Sequence, residues 1–278
     1  MTLLRCPVCK TDLCRRDKQY VCTAGHSFDI ARQGYVNLLL SSQMPSKAPG
    51  DSAEMIADRR AFLDAGHYQP LRDAVIAQLD RLQTATDQCR KYPQRILDLG
   101  CGEGYYTAAF TANHRDVIAL DIAKPALAIA AKRNSAITWC VGTSRALPLH
   151  DASVDVVLNI FCRPHITETQ RVLRADGVLL HVGPGPRHLE ALRHVLYENV
   201  VIEDSHSLGD LLQHGFTLHH IETLRYTFTL QQPAIVQLAR MTPHYWRAPQ
   251  AGRTRLEQMD SLTLDAEFVL QELRIDRP

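Results

Sequence analysis

No stretch of this 278-residue chain stays apolar for the roughly 18 residues that a membrane-spanning helix needs. The best run, around Tyr35 to Leu40, is short. That excludes a helical membrane protein. An apolar leader is missing as well: the chain reaches Arg5 and Cys6 without one. Nothing therefore directs export, and the cytoplasm is the expected location. Net charge is nearly absent, with 31 Lys and Arg against 30 Asp and Glu. Disorder requires few apolar residues and much net charge, and 45% apolar residues exclude it. Internal repeats and low-complexity tracts are also lacking. What remains is a composition that suits one large domain plus something small, with ample chain for a core.

The balanced total hides an uneven distribution. Residues 1–50 hold seven Lys and Arg against three Asp and Glu, a net of +4, and the rest of the chain is mildly acidic. The same N-terminal piece carries four cysteines within 22 residues. Charge and cysteine spacing thus mark a small basic module, residues 1–40, joined to a larger body. The stretch Ser41 to Gly50 reads as a connector. It leads into a helical segment that completes residues 41–94. There Asp51 is placed to cap a helix, with Glu54 three residues on closing a capping box. A second helix is predicted over Gln69 to Leu82, with Leu71, Val75, Ile76 and Leu79 on one face.

From Arg95 to Pro278 the pattern changes. Strands are predicted at 95–99, 116–121, 137–141, 154–161 and 177–182, with helical segments between most of them. That alternation predicts an α/β fold with a mostly parallel, doubly wound sheet. Phe216 to Leu230 and Leu262 to Leu273 read as a closing antiparallel pair.

Cys6-Pro-Val-Cys9 is followed by Cys22 and His26, the spacing C-x2-C-x12-C-x3-H. A CxxC knuckle lets two thiolates converge on one ion, and a second Cys/His pair closes a tetrahedron. One Zn²⁺ is expected on Cys6, Cys9, Cys22 and His26. Four protein ligands leave no open position, so the metal is structural. Cys14 is left over as an ordinary thiol. Arg15, Arg16, Lys18, Tyr20, Phe28, Arg32 and Tyr35 lie around this set. Cations interleaved with aromatics suit RNA phosphates and unpaired bases, and equally suit a solvated basic face over structural aromatics.

Arg95-Ile-Leu-Asp-Leu-Gly-Cys-Gly-Glu-Gly-Tyr105 is the most informative stretch. A short apolar strand ends in Asp98, then Gly100, Gly102 and Gly104 open a helix on this reading. A dinucleotide fingerprint needs its third glycine at 105, which is Tyr. The acids Asp98 and Glu103 suit a cationic ligand better than a pyrophosphate. This stretch resembles the first motif of class I S-adenosylmethionine-dependent methyltransferases, which implies a Rossmann-like, seven-stranded sheet. The next strand ends in Asp121, where a carboxylate can accept hydrogen bonds from ribose hydroxyls. Val141-Gly-Thr-Ser-Arg-Ala-Leu-Pro148 resembles the family segment that lies against adenine, with Thr143 or Ser144 toward the amine.

The resemblance extends along the chain. The zinc module is followed in order by Pro49-Gly-Asp-Ser-Ala-Glu-Met55, by Arg59 to Leu71, by the glycine loop, by Pro184-Gly-Pro-Arg-His-Leu189 and by Met241-Thr-Pro-His-Tyr-Trp-Arg247. Together they resemble the bacterial 23S rRNA guanine-N1 methyltransferases that act in the hairpin of helix 35, in the group named for guanine 745. A sister group is named for guanine 748. The resemblance implies S-adenosylmethionine as cofactor, a structural zinc on the four residues above, and a homodimer with an RNA cleft. Neither DNA nor a membrane is an expected partner. It places the cofactor against Gly102 and Glu103, with Tyr68 and His188 bordering the same pocket.

No residue is assigned as the acceptor of the guanine N1 proton. The segment Asn159-Ile-Phe-Cys-Arg-Pro-His165 holds Arg163 and His165 as candidates for assistance, with structural roles as the alternative. It lacks the Asn/Asp-Pro-Pro-aromatic motif of amino-methylating relatives, which favours a ring nitrogen. Trp246 reads as a core residue, with base stacking as the alternative. Two other functions compete. One is a small-molecule methyltransferase, which should survive loss of residues 1–40. The other is a zinc-bearing RNA-binding protein with a degenerate methyltransferase body.

Overall fold

The computed structural model describes residues 2–44, 49–86, 92–111, 114–200 and 207–276. Within the connector, residues 45–48 lie outside the described residues. The N-terminal module is a three-stranded antiparallel sheet of β1 (Leu13–Arg16), β2 (Gln19–Cys22) and β3 (Ser27–Asp29), followed by β4 (Tyr35–Asn37). Next come α1 (Ala53–Asp64) and α2 (Gln69–Thr86). The alternating part comprises β5 (Gln94–Leu99), β6 (Arg115–Asp121), α3 (Lys124–Ala130), β7 (Thr138–Val141), β8 (Val154–Ile160), α4 (Ile166–Val172) and β9 (Leu173–Pro184). It is followed by α5 (Glu190–Leu196), α6 (Ser207–Gln213), β10 (Phe216–Gln231), α7 (Ala234–Arg240), α8 (Pro243–Arg247), α9 (Gln250–Glu257) and β11 (Ser261–Ile275).

The main sheet runs β10-β11-β9-β8-β5-β6-β7-β4. β4 through β9 pair in parallel, and β11 lies antiparallel to both β9 and β10. The seven expected strands of the large domain are therefore present, with β10 and β11 as the closing pair. The eighth, β4, comes from the N-terminal module and pairs with β7 at the edge. Three residues are too few to show a strand period in the sequence.

Alternation along the strands divides their side chains between two cores, because successive residues of a strand point to opposite faces. Ile96, Val117, Ala119, Trp139, Val156 and Leu158 face one core with α1, α2, α3, α5 and α7. Leu97, Leu99, Ile118, Leu120, Cys140 and Val157 face the other. That second face is not covered by a row of helices. The connection from β7 to β8, residues 142–153, contains no helix. Leu3, Leu4, Leu13, Tyr20, Val36 and Leu38 of the N-terminal module pack there, beside Val172 of α4 and Leu211 of α6.

Polar contacts fasten the module to the same connection. Arg5 N–H donates to Pro148 O (3.0 Å), and His150 N–H donates to Leu3 O (3.1 Å). Asp151 receives Arg5 at 3.2 Å and Arg171 at 2.7 Å. Removing residues 1–40 would uncover one face of the sheet and delete its edge strand. Truncation therefore cannot separate small-molecule activity from RNA activity, contrary to the sequence-based expectation.

The start of α1 also departs from expectation. Ser52, not Asp51, is the N-cap: its side chain accepts Met55 N–H at 3.2 Å. Asp51 is drawn aside by an ion pair with Arg59, about two turns into the helix. Shifting the cap by one residue moves Glu54 out of capping-box register. Among the described residues, no helix is long and apolar enough to cross a membrane.

Candidate cofactor and metal sites

The four ligand atoms of Cys6, Cys9, Cys22 and His26 lie within 4.8 Å of one another. Zinc bonded at about 2.3 Å to sulfur and 2.0–2.1 Å to nitrogen sets ligand atoms about 3.5–3.8 Å apart in a tetrahedron. Cys9 Sγ and Cys22 Sγ are 3.6 Å apart, while His26 Nδ1 lies 3.4 Å from Cys22 Sγ and 3.7 Å from Cys6 Sγ. The residues fit zinc. The Thr11 side chain and N–H at Cys9 Sγ hold that thiol down at about 6, which favours the thiolate a metal needs. Cys14 is exposed and outside the set.

The basic and aromatic residues nearby separate by burial. Arg15, Arg16, Lys18 and Arg32 are exposed. Tyr20 and Tyr35 are buried, and Phe28 packs against the second core. The two tyrosines thus serve the core and offer no face to a base. Short strands gave the sequence no period from which to tell their inward side.

The glycine loop leaves β5 at Leu99 and leads only into a three-residue 3₁₀ turn, 107–109, not into the regular helix expected there. Its three glycines differ. A Cβ at Gly100 would lie 2.7 Å from Cys162 Sγ, and one at Gly104 would lie 2.8 Å from Trp139. Both are close-packed. Gly102, at φ +55°, faces open space, with Arg59 the nearest group at 3.9 Å from a built Cβ. This is the place where a ligand can approach the backbone closely.

Asp121 ends β6 beside it. Gly102 N–H donates to Asp121 Oδ2 (2.9 Å), and Ala123 N–H donates to Oδ1 (2.7 Å). These bonds fix the carboxylate, and each oxygen keeps a lone pair for a hydroxyl donor. Asp98 plays a different part. It is buried and accepts Thr107 Oγ1–H at 2.5 Å, pinning the far end of the loop. Burial pushes its carboxyl up to about 7, with the charge of Asp121 adding to the rise. Glu103 is buried and turned onto Arg133, 3.5 Å from the guanidinium, while its carbonyl accepts Arg133 Nε–H at 2.9 Å. Cys101 registers the resulting field. Burial raises its thiol first, and Asp121, Asp98 and Glu103 raise it further. A cationic ligand would relieve this accumulation of negative charge.

Thr143 follows β7, buried, with Oγ1 accepting Arg145 N–H (3.3 Å). Ser144 beside it is half-buried. Tyr68 and His188, 120 residues apart, are brought together: Tyr68 Oη is 3.3 Å from His188 Nε2. Glu267 N–H donates to His188 Nδ1 (3.2 Å), and burial holds the ring neutral by lowering its pKa to about 3. The imidazole proton therefore sits on Nε2 and is offered to the Tyr68 oxygen. That leaves the Tyr68 hydroxyl proton available to a ligand. Tyr106, which the sequence did not single out, feels both Tyr68 and Glu103 electrostatically. Its hydroxyl is buried without a hydrogen-bond partner among the described residues. The chemistry of these groups, a fixed carboxylate beside an open glycine and a tyrosine with a spare hydroxyl proton, fits S-adenosylmethionine, which carries a diol, a carboxylate and cationic centres.

Other predicted residues fall elsewhere. Arg163 pairs with Asp210 at 3.3 Å. Together with His165 and His214 they line a cavity of about 320 Å³ between α4 and α6. Trp246 is not a core residue: it is 45% exposed, with Nε1–H on Arg240 O. Asn159, which opens the segment singled out in the sequence, is buried and paired with His181 of β9 (2.8 Å), a partner that carried no sequence signal.

Residues 4–47 match the zinc-ribbon family described as "RlmA, N-terminal", and residues 96–179 match a methyltransferase domain family. The large domain is a class I methyltransferase fold. A protein of Micromonospora griseorubida named "Putative 23S rRNA (guanine-N(1)-)-methyltransferase" is 38% identical, over 90% of this chain and 89% of its own. The 23S rRNA (guanine(748)-N(1))-methyltransferase of Streptomyces fradiae is 34% identical, over 96% and 95%. A solved structure concerned with converting a disulfide into a thioacetal during echinomycin biosynthesis shares the fold. Its TM-score is 0.50 at 16% identity, covering 73% of this chain and 82% of that one.

Proposed function

The chain belongs to the family of 23S rRNA (guanine-N1)-methyltransferases, and from that premise we propose that it methylates N1 of guanine 745 in the helix 35 hairpin of 23S rRNA. The observation that carries the reading is the joint presence of two sites, one on the main sheet and one in the module packed against it. An open Gly102 beside a fixed Asp121 suits the cofactor, and a Cys₃His zinc site sits in a module whose Arg15, Arg16, Lys18 and Arg32 are exposed. We further infer a homodimer acting in the cytoplasm, with RNA held near these cations and the mouth of the cofactor pocket.

The chemistry supplied by bound S-adenosylmethionine is a methyl group on a positively charged sulfur, open to in-line displacement. Positioning therefore provides much of the rate. Asp121 would hold the ribose hydroxyls, Tyr68 Oη–H the carboxylate, and the acids around Cys101 the positive charge. Thr143 and Ser144 would border the adenine. His188 stays neutral near pH 7 and keeps Tyr68 oriented. Guanine N1 must lose its proton as the methyl arrives.

A second reading, guanine 748 of the same hairpin, is favoured by the name of the Streptomyces fradiae relative. One experiment decides. Zinc-loaded protein is incubated with labelled S-adenosylmethionine and unmodified 23S rRNA, and the modified nucleotide is mapped by primer extension and mass spectrometry. One added methyl at 745 is the expected result. A methyl at 748 replaces the first reading by the second, and no methyl in helix 35 overturns both.

A further inference from the structure

Phe161 is the first residue beyond β8, at the carboxyl end of the strand beside the glycine loop. Its φ of +54° lies in the left-handed region, which a bulky aromatic seldom occupies. Neighbours hold it there. Phe161 N–H donates to Val182 O at 2.9 Å, and the next residue, Cys162, fills the space where Gly100 would carry a Cβ. Strain that the surroundings over-determine in this way is a feature of functional sites.

The conformation has a visible result. Phe62, Phe110, Phe216 and Phe268 are all fully buried, but Phe161 is 45% exposed. Its ring is not loose. It rests on Phe268, with centroids 5.7 Å apart. Phe268 in turn contacts His188 at 4.7 Å and Tyr68 at 4.9 Å. A chain of ring contacts therefore runs from Tyr68 and His188, proposed above to serve the cofactor, through the buried Phe268 to the open ring of Phe161. A residue needed only for packing would bury its ring and avoid the strained backbone.

We propose that Phe161 is the surface on which the target guanine stacks once it has left its place in the RNA hairpin. The proposal rests on the guanine-N1 reading above and deepens it. A base removed from its stack loses contact on both faces, and a fixed aromatic ring restores one of them. Stacking also holds the purine plane steady, so that its N1 edge is presented toward the cofactor without a hydrogen bond to the ring nitrogen itself.

The test compares Phe161→Ala, Phe161→Leu and Phe161→Trp in the full-length, zinc-loaded protein, with S-adenosylmethionine and a helix 35 hairpin. Ala and Leu are expected to lower kcat/KM about 10- to 100-fold, the size of one lost base–aromatic stack. Trp should stay within a few-fold of the parent. Calorimetric affinity for S-adenosylhomocysteine and the melting temperature should be unchanged in all three. An active parent whose Ala variant is equally active overturns the stack alone. So does a Trp variant as weak as Ala, or a loss that follows cofactor affinity. A parent that binds cofactor yet leaves the hairpin unmethylated overturns the guanine reading, and the stack with it.

Discussion

The two faces of the central sheet are held by different means. On one, Phe62, Leu71, Val75, Leu79 and Leu127 of α1, α2 and α3 cover the strands mainly by apolar packing, with Asp80–Arg115 and Arg81–Glu272 as ion pairs at its border. On the other, much of the cover is a module whose own sheet strands are three or four residues long and whose shape depends on Cys6, Cys9, Cys22 and His26. A layer of that size has too few apolar contacts to hold itself without a staple. The zinc site is therefore a stability element of the catalytic body as well as of its own module.

The sharpest way to break this contrast is to remove the metal. Chelation, or Cys22→Ser, should unfold the module and loosen the sheet face carrying Leu97, Ile118 and Val157. The expected cost is several kcal/mol, since structural zinc contributes folding energy directly. Hydrogen exchange read by mass spectrometry would show the protection of β6 and β7 collapsing. If only residues 1–40 lose protection, the module is an appendage and the contrast fails.

A smaller effect is expected on the helical face. Leu79→Ala opens a cavity at a fully buried position and should cost about 2–5 kcal/mol in urea unfolding. The variant should keep its zinc, measured by a colorimetric chelator after unfolding. Loss of metal in step with the urea midpoint would mean that the two faces fail together.

The smallest effect concerns pH. Burial raises Asp98 to about 7, so the folded state holds its proton longer than the unfolded chain does. Stability from this group is complete below about pH 4 and is lost as pH rises through about 7. Burial acts oppositely on His181 and His188, lowered to about 4 and about 3, whose contribution is lost as pH falls below about 6.5. Asp98→Asn removes the first slope and leaves the second. Its stability relative to the parent should improve by ~1–3 kcal/mol between pH 4.5 and 7. Parallel urea midpoints at the two pH values would contradict the assignment.

Much of this was legible in the residues. The strand–helix alternation from Arg95, the CxxC spacing and the glycine loop are local patterns, and each lies where it was expected. What escaped was decided by partners distant in sequence. Both Asp51 and Ser52 can cap a helix, and Arg59 decides between them by taking Asp51. Tyr20 and Tyr35 turn inward because the module lies on β7 and its neighbours, which nothing in their own strands announces. The missing helix between β7 and β8 makes sense only once the module fills its place. Phe161 carries no cue of residue type for its left-handed backbone. That conformation comes from Val182 and from the close packing of Cys162 on Gly100.

The edge pairing of β4 with β7 also sets an order in time. The metal ligands span only residues 6 to 26, so the knuckles can close on zinc early in synthesis. Tyr35 and Trp139, by contrast, are register partners more than a hundred positions apart. The folded module must wait, with β4 unpaired and its apolar underside bare, until β7 has been made. Long-range parallel pairing of this kind is slow, and the bare surface is open to aggregation meanwhile. The rate at which the ribosome passes from residue 40 to residue 141 is thus a term in the yield of active enzyme.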